Sequence, residues 1–194
     1  YKKQENLTIG DELQVKPAQV CEAYQYLKNA PIVCPLKDAN AIGIVGREAF
    51  RYDFLKNIVV DIVARQYEAD VRMVFVAEQG NKARIYPFRF LPQVQCDTIG
   101  SRLIVTNGES KNTVFEYLYK ELTQRKQNKY VGESIVAFFY DEFGFQNHPI
   151  SKFVDEASCL GITFVFFGGE SSKIPMGCSY IVEIRDAQNA VLIS

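Results

Sequence analysis

The chain has 194 residues, of which 47% are hydrophobic and 23% are charged, and its formal net charge is −1. This length and composition allow one sizeable buried core. The densest basic cluster is Arg125 and Lys126 with Lys129, at the end of a predicted helix, and it is too small for a nucleic-acid-binding surface. We therefore expect no nucleic-acid partner and interpret the cluster as a solvated helix end.

Five cysteines are scattered through the sequence without any C-x-x-C pair: Cys21, Cys34, Cys96, Cys159 and Cys178. Their odd number and wide spacing argue against a disulfide framework and a zinc site, and favour reduced thiols in a cytosolic compartment. No signal peptide and no apolar run near the ~20 residues of a membrane helix are present. Because the chain starts at Tyr1 and stops after an apolar run, we interpret it as a piece of a longer protein whose membrane segments lie outside it.

The first predicted helix begins at Pro17, since proline suits the first helical turn. Its apolar face consists of residues spaced four and three apart, namely Val20, Tyr24 and Leu27. Pro31 ends this helix. The segment from Pro31 to Leu36 then predicts a short strand at a sheet edge, because Pro35 cannot donate a hydrogen bond to a ladder.

The rest of the chain alternates predicted strands with predicted helices. Compact apolar runs predict strands at Ala41 to Val45, Val71 to Ala77, Arg102 to Thr106, Ile135 to Tyr140 and Ile162 to Phe167. Apolar residues three and four apart predict helices around Phe50 to Val63, Ser110 to Arg125 and Pro149 to Leu160. The last two strands, Tyr180 to Ile184 and Ala190 to Ile193, predict an antiparallel edge pair. This alternation predicts a three-layer α/β domain with a mostly parallel sheet.

The segment from Glu78 to Gly100 lacks this regularity and predicts an irregular loop with a helical turn. Its aromatic part runs from Ile85 to Pro92 and contains two prolines. These aromatic side chains suit either a lid on the core or an exposed contact surface, and burial is the default for phenylalanine.

Two acids follow the buried strand that ends at Tyr140. Asp141 and Glu142 there have the form of a Walker B strand, whose Asp orders the water shell of Mg²⁺ and whose Glu polarises an attacking water. The alternative is a pair of polar residues that merely end a strand. The single histidine, His148, is interpreted as a surface residue.

The phosphate site of such a fold lies after the first strand, where a P-loop reads G-x-x-x-x-G-K-[ST]. This chain has Gly43, Gly46, Arg47 and Glu48 there, without the lysine or the hydroxyl residue. Arg47 could hold an anion at the helix N-terminus, but Glu48 puts negative charge where a phosphate would lie. We interpret the segment as a tight strand-to-helix turn, and expect no catalytic residue, no metal ligand and no binding of ATP or Mg²⁺.

Several segments occur in the order known from one protein family. They are Asn29-Ala30-Pro31-Ile32, Ile42-Gly43-Ile44-Val45-Gly46, Arg89-Phe90-Leu91-Pro92, Leu160-Gly161-Ile162-Thr163, Ile174-Pro175 with Cys178, and Val182-Glu183. Through them the chain resembles the FtsK/SpoIIIE-type ATPases of type VII secretion systems, called EssC and EccC. The resemblance is to the degenerate ATPase-like domain between the transmembrane helices and the motor domains.

The resemblance implies a P-loop-NTPase-like, RecA/FtsK-like fold that has lost its Walker A residues. It further implies residues 1–15 as an N-terminal extension, residues 16–194 as a single domain, and a place at the cytoplasmic side of the membrane. The expected partners are other domains of the same secretion ATPase, neighbouring subunits and secretion-machinery proteins. The expected role is structural coupling or regulation of export.

Two other functions remain open on the sequence. The first is a nucleotide-binding ATPase domain with an atypical phosphate site, which would use Arg47 and be completed by a neighbouring subunit. The second is a flavodoxin-like binding module unrelated to secretion, which the strand order would reveal. For the non-catalytic domain we expect that loss of Asp141 leaves folding almost unchanged, and that the stretch from Tyr86 to Leu91 lies near a contact with another domain or subunit.

Overall fold

Nine strands form one large sheet and one small sheet in the computed structural model, which describes residues 34–171, 174–187 and 189–193. In chain order they are β1 Ala41–Gly46, β2 Val71–Val76, β3 Gln95–Cys96, β4 Ser101–Arg102, β5 Ile104–Val105, β6 Ser134–Phe139, β7 Ile162–Gly168, β8 Tyr180–Ile184 and β9 Ala190–Ile193. The large sheet has seven strands in the order β5-β2-β6-β7-β1-β8-β9, and the small sheet pairs β3 with β4.

The large sheet is parallel except at one edge, where β8 and β9 pair in antiparallel fashion as predicted. All seven residues of β7 are buried, and so are five of the six residues of β6. Because successive residues of a strand point to opposite faces, such continuous burial means that both faces of the sheet are covered. The predicted three-layer α/β architecture is therefore confirmed.

The strand order decides between the open fold alternatives. In a flavodoxin-like sheet, of order 2-1-3-4-5, the first and second strands are neighbours. Here β6 and β7 lie between β1 and β2, while β1 pairs with β7 on one side and β8 on the other. The flavodoxin-like alternative is therefore wrong.

Three α-helices are described: α1 Glu48–Arg65, α2 Lys82–Ile85 and α3 Gly108–Asn128. The centre of the buried stripe of α1 consists of Leu55, Val59 and Ile62. The residues four apart that predict this helix are Phe50, Phe54, Ile58 and Ile62, and Ile62 belongs to this stripe. The other three are only half-buried and pack beside it.

The third helix begins with a capping box. The side-chain oxygen of Asn107 accepts a hydrogen bond from the Ser110 N–H at 2.8 Å, and the Ser110 hydroxyl accepts one from the Asn107 N–H at 3.2 Å. These two bonds satisfy amides that a helix start leaves without partners, which is why α3 begins at Gly108, two residues before the predicted start. Its buried residues include Val114, Leu118 and Leu122, whose spacing of four predicts this helix.

The predicted strand from Arg102 to Thr106 is wrong as a single element. Leu103 divides it, because its N–H donates to the Val94 carbonyl at 2.8 Å while its carbonyl accepts from the Phe75 N–H at 2.9 Å. The residues before Leu103 therefore pair within the small sheet, and those after it join the large sheet beside β2.

The predicted α-helix from Pro149 to Leu160 consists of two 3₁₀ segments, Pro149–Glu156 and Ser158–Leu160. Asn40 binds at the break between the two segments. Its side-chain amide donates to the Asp155 carbonyl at 2.8 Å, and its side-chain oxygen accepts from the Ser158 N–H at 2.9 Å. Both backbone groups would otherwise form α-helical hydrogen bonds. Gly161, in the left-handed region, ends the segment directly after the predicted end at Leu160.

Residues 34–36 do not form the predicted edge strand, since Leu36–Asp38 is a 3₁₀ turn. The rest of that prediction lies outside the described residues, as do the N-terminal extension and the helix beginning at Pro17. Cys34–Ser194 is one compact unit, and the division after residue 15 stays a prediction. No helix in the described ranges is long and apolar enough to cross a membrane.

The basic cluster at the end of α3 is not simply solvated, because Arg125 is only 4% exposed. Its Nε donates to Glu121 Oε1 at 2.8 Å, and its Nη1 donates to the Leu160 carbonyl at 3.0 Å. Lys126 pairs with Glu156. Arg125 therefore fastens the end of α3 to the segment that leads into β7.

Arg125→Met should lower the free energy of unfolding by about 2 kcal/mol, because a buried carbonyl loses its donor and Glu121 loses its partner. Lys120→Met is a matched control: Lys120 pairs with Glu116 at the same i,i+4 spacing, but both side chains are exposed. We expect little change from the control. Urea denaturation measures both, and equal losses would contradict the assigned role of Arg125.

Candidate functional site

The connection between β1 and α1 is the place where a phosphate-binding loop belongs in this fold. The strand ends at Gly46 and the helix begins at Glu48, so that Arg47 alone lies between them. A P-loop needs several successive backbone amides that wrap around the phosphates. A one-residue connection cannot supply them, and the predicted tight strand-to-helix turn describes this segment correctly.

The two glycines of this segment are required by packing. A Cβ on Gly43 would lie 2.8 Å from Ile174 Cγ2, and a Cβ on Gly46 would lie 2.8 Å from the Ile184 carbonyl oxygen. Real Cβ atoms do not approach other atoms so closely. Gly43 and Gly46 therefore allow the chain around β8 to approach β1, which accounts for both glycines without a phosphate.

Arg47 immediately precedes α1, and Glu48 is the first residue of the helix. Arg47 is exposed, and its side chain forms no cap on the helix. Glu48 Oε1 accepts a hydrogen bond from Arg84 Nη2 at 2.8 Å. Its carboxylate suits the positive end of the helix dipole, so negative charge from the protein itself already occupies the position that attracts anions in other proteins of this fold.

Tyr140 fills the region where β6 and β7 end. Its ring is 2% exposed and stacks on Phe167 with 5.8 Å between the ring centroids. The guanidinium of Arg51, in the first turns of α1, lies 5.6 Å from the Tyr140 ring centroid. Burial raises the pKa of the Tyr140 hydroxyl above its usual value. In the sequence Tyr140 is only the end of an apolar run, and no local pattern marks its contact with Arg51.

Asp141 directs its carboxylate toward the loop that follows β2. Asp141 Oδ2 accepts a hydrogen bond from the Glu78 N–H at 2.8 Å, and both its carboxylate oxygens accept from Asn81 Nδ2, at 2.9 and 3.0 Å. These three bonds tie the end of β6 to the start of the segment at Gln79. The carboxylate thus has a structural use that the sequence did not reveal.

Glu142 organises the turn directly after it. Its two carboxylate oxygens accept hydrogen bonds from the Gly144 N–H at 2.8 Å and the Gln146 N–H at 2.7 Å. The turn is tight, with φ at 46° for Phe143 and 74° for Gly144. Positive φ is unfavourable for phenylalanine, and the two carboxylate bonds help to hold it.

His148 is partly exposed and caps the segment that begins at Pro149. Its Nδ1 accepts a hydrogen bond from the Ile150 N–H at 3.3 Å, and its ring meets the Phe115 ring edge-on with 5.1 Å between centroids. Burial and the positive charge of Lys111 both lower its pKa. The ring serves as an acceptor for the backbone in its neutral form.

The described ranges contain no group of three or more His, Cys, Asp or Glu side chains placed to hold a metal ion. The four described cysteines are free thiols, and of these Cys96 is buried whereas Cys159 is exposed. The expectation that ATP and Mg²⁺ do not bind stays a prediction.

Comparison with known proteins gives similarity in structure. No protein-family model and no curated protein sequence matches the chain. EssC of Geobacillus thermodenitrificans, in a structure of its ATPases 2 and 3, is similar with a TM-score of 0.58 and 14% identity over 76% of this chain. The cytoplasmic domain of the type VII secretion ATPase EccC of Thermomonospora curvata is similar with a TM-score of 0.53 and 9% identity over 79% of this chain.

The chain has the fold of the EssC and EccC ATPase domains. The P-loop-NTPase-like architecture predicted from the sequence is confirmed, and so is the resemblance to these secretion ATPases at the level of the fold. The chain spans 32% of the EssC structure and 20% of the EccC structure, so it corresponds to a fraction of either protein.

Because Asp141 makes these contacts, we no longer expect its loss to leave folding almost unchanged. Asp141→Ala should lower the free energy of unfolding by about 2 kcal/mol, because the Glu78 N–H and the Asn81 amide lose their acceptor. Asp53→Ala, which removes an exposed carboxylate paired with Lys56, is the control and should have little effect.

Urea denaturation with and without Mg²⁺ tests this expectation for Asp141. The same loss should appear in both conditions, since the carboxylate binds backbone and amide donors. A loss that appears only with Mg²⁺ would show that the carboxylate serves a metal.

His148, the only histidine in the chain, should make stability fall as the solution becomes more acidic. Its pKa is lower in the folded state, so between about pH 7.5 and 5.5 the unfolded state binds more protons and the free energy of unfolding decreases as pH falls. His148→Asn keeps an acceptor at the cap but does not titrate. Urea denaturation across this range should show a steeper pH dependence for the native chain, and identical slopes would contradict the prediction.

Proposed function

We propose that this chain is an ATPase-like domain of a type VII secretion protein that binds no nucleotide and acts through protein contacts. The observation that carries the proposal is the one-residue connection between β1 and α1. Phosphoryl transfer depends almost entirely on positioning and on charge stabilisation of the phosphates. A fold that keeps the sheet but lacks the loop, the lysine and the hydroxyl residue has lost the means for both.

The two acids of the Walker B type support the same proposal. Asp141 accepts bonds from the loop after β2, and Glu142 accepts bonds from the turn after β6. In an active site these carboxylates would hold the metal shell and a water. Here they organise the backbone, which explains why two acids stand at this strand end without a phosphate site beside them.

In this proposal the domain couples or regulates other parts of a secretion motor. Its partners are other domains of the same protein, neighbouring subunits and further proteins of the secretion machinery, at the cytoplasmic side of the membrane. The fold shared with EssC and EccC supports this assignment. The small share of those structures that the chain spans fits one domain within a longer protein.

The remaining alternative, an ATPase domain with an atypical phosphate site, would rest on Arg47. That side chain is exposed at the start of α1 and makes no capping bond. A helix N-terminus with an arginine attracts anions. Nucleotide binding through Arg47 would therefore be lost in Arg47→Ala, whereas the non-binding domain is indifferent to that change.

Calorimetric titration of the purified chain with Mg-ATP tests the proposal, with a thermal unfolding scan to show that the protein is folded. We expect no heat of binding and no rise of the melting temperature at millimolar nucleotide. A Kd near 100 μM, which corresponds to about −5.5 kcal/mol, would overturn the proposal. Loss of that binding in Arg47→Ala would then establish the alternative.

A further inference from the structure

Five side chains form a row on the surface in which cations and aromatic rings alternate. We call this row the cation–aromatic ladder, and its members are Lys82, Tyr86, Arg89, Phe90 and Arg102. Lys82 Nζ lies 4.8 Å from the Tyr86 ring centroid, and the Arg89 guanidinium carbon lies 3.9 Å from the same centroid. The Arg89 carbon is also 4.0 Å from the Phe90 centroid, and the Arg102 guanidinium carbon is 5.9 Å from it.

The ladder is fixed to the core from behind. Ile85 is fully buried, and the Phe88 ring stacks on Phe75 of β2 with 4.8 Å between centroids. This anchoring divides the aromatic stretch of the sequence into two groups. Phe88 packs against the core, whereas Tyr86 and Phe90 face outward with 41% and 70% of their surface exposed.

The backbone also holds the two arginines. Arg89 Nη1 donates to the Tyr86 carbonyl at 2.8 Å, and Arg102 Nη1 donates to the Arg89 carbonyl. Each guanidinium keeps further N–H donors after these bonds. The ladder is therefore a preorganised surface with hydrogen-bond donors in place, which lowers the entropy cost of binding a partner.

The charges of the ladder are not neutralised within the described part of the chain. No ion pair there involves Lys82, Arg89 or Arg102. The two cations over the Tyr52 ring differ in this respect. Lys56 pairs with Asp53 at 2.7 Å, and Arg84 pairs with Glu48 at 2.8 Å.

The geometry of the rings indicates which anion fits. Single-stranded nucleic acid binds by stacking successive bases on several aromatic faces, but Lys82 and Arg89 both lie over the Tyr86 ring, which leaves the exposed Phe90 ring as a single platform. Ring edges carry partial positive charge, and together with the guanidinium donors they suit carboxylates, which arginine binds in a bidentate manner. The exposed surface of Phe90 adds an apolar contact beside these donors.

We propose that the cation–aromatic ladder docks an acidic protein segment, in which glutamate or aspartate residues flank an apolar side chain. The carboxylates meet Arg89 and Arg102, and the apolar side chain packs on Phe90. The segment belongs to another domain or subunit. This docking surface is independent of the nucleotide question, since no ladder residue lies in the β1–α1 connection.

Fluorescence anisotropy with the whole chain tests the proposal. The probe is a short labelled peptide of glutamates around leucines, and the comparison peptide has glutamine in place of every glutamate. We expect the glutamate peptide to bind at least about tenfold more tightly and to weaken as NaCl rises from about 0.05 to about 0.3 M. No binding of the glutamate peptide at about 1 mM, or equal binding of the two peptides, would overturn the proposal.

Arg89→Gln and Phe90→Ala should each weaken binding of the glutamate peptide by about fivefold or more. Lys56→Gln is the matched control, because it removes a cation that also lies over a ring but is neutralised by Asp53, and we expect unchanged affinity. An equal loss in the control would mean that binding follows overall charge, and this would overturn the proposal.

Two further measurements complete the test. Unchanged melting temperatures of Arg89→Gln and Phe90→Ala support the proposal, because they assign the loss of affinity to the surface. Oligothymidylate of the same charge as the peptide should bind more weakly than the peptide. Tighter binding of the oligonucleotide, with the same losses in the ladder variants, would replace the acidic segment with nucleic acid and overturn the proposal.

Discussion

The one-residue connection between β1 and α1 is the constraint that determines how the carboxyl ends of the strands are packed. Because only Arg47 separates the two elements, the end of the strand and the start of the helix are fixed relative to one another. The neighbouring strand approaches so closely that no side chain larger than hydrogen fits at Gly46. In nucleotide-binding proteins of this kind, the carboxyl ends of the strands border an open crevice. In this domain the corresponding region is packed, and Tyr140 and Phe167 stack on one another there.

Polar side chains elsewhere in the domain serve the backbone in the same way. Asn40 binds the segment before β7, Arg125 binds the Leu160 carbonyl, and Asp141 binds the Glu78 amide. Each joins residues far apart in sequence, and each gives a backbone group its hydrogen-bond partner. Single bonds of this kind contribute about 1 kcal/mol, so their larger effect is to select one arrangement of the connecting segments.

Much of the fold could be predicted because it follows from local patterns. Unbroken apolar runs mark β1, β2, β6 and β7, and spacings of three and four mark α1 and α3. The order of the strands could not be predicted, since β1 pairs with strands more than a hundred residues later in the chain. The break between the two 3₁₀ segments could not be predicted for the same reason, because Asn40, which binds there, precedes it by more than a hundred residues.

The candidate site was predictable where it depends on residue type and not where it depends on packing. The missing lysine and hydroxyl residue of a P-loop can be seen directly in the sequence around Gly46. That Tyr140 and Arg51 fill the same region can be predicted only when the strand order is known. The cation–aromatic ladder can be predicted only when the turns between Lys82 and Arg102 are known. Rings and cations alternate along the chain in the same order, but the separations between them are irregular and do not predict that they touch.

The contact between Asp141 and Asn81 shows that an acidic residue in a Walker B position can have a structural use. Asp141 stands at the strand end that holds magnesium in a motor protein, yet here it fixes the residue immediately before Lys82, the first member of the ladder. Its carboxylate thus connects the end of β6 to the segment that carries the cation–aromatic ladder. An acidic pair after an apolar strand is therefore not by itself the mark of a magnesium site, since both carboxylates here accept hydrogen bonds from backbone and amide groups of the domain.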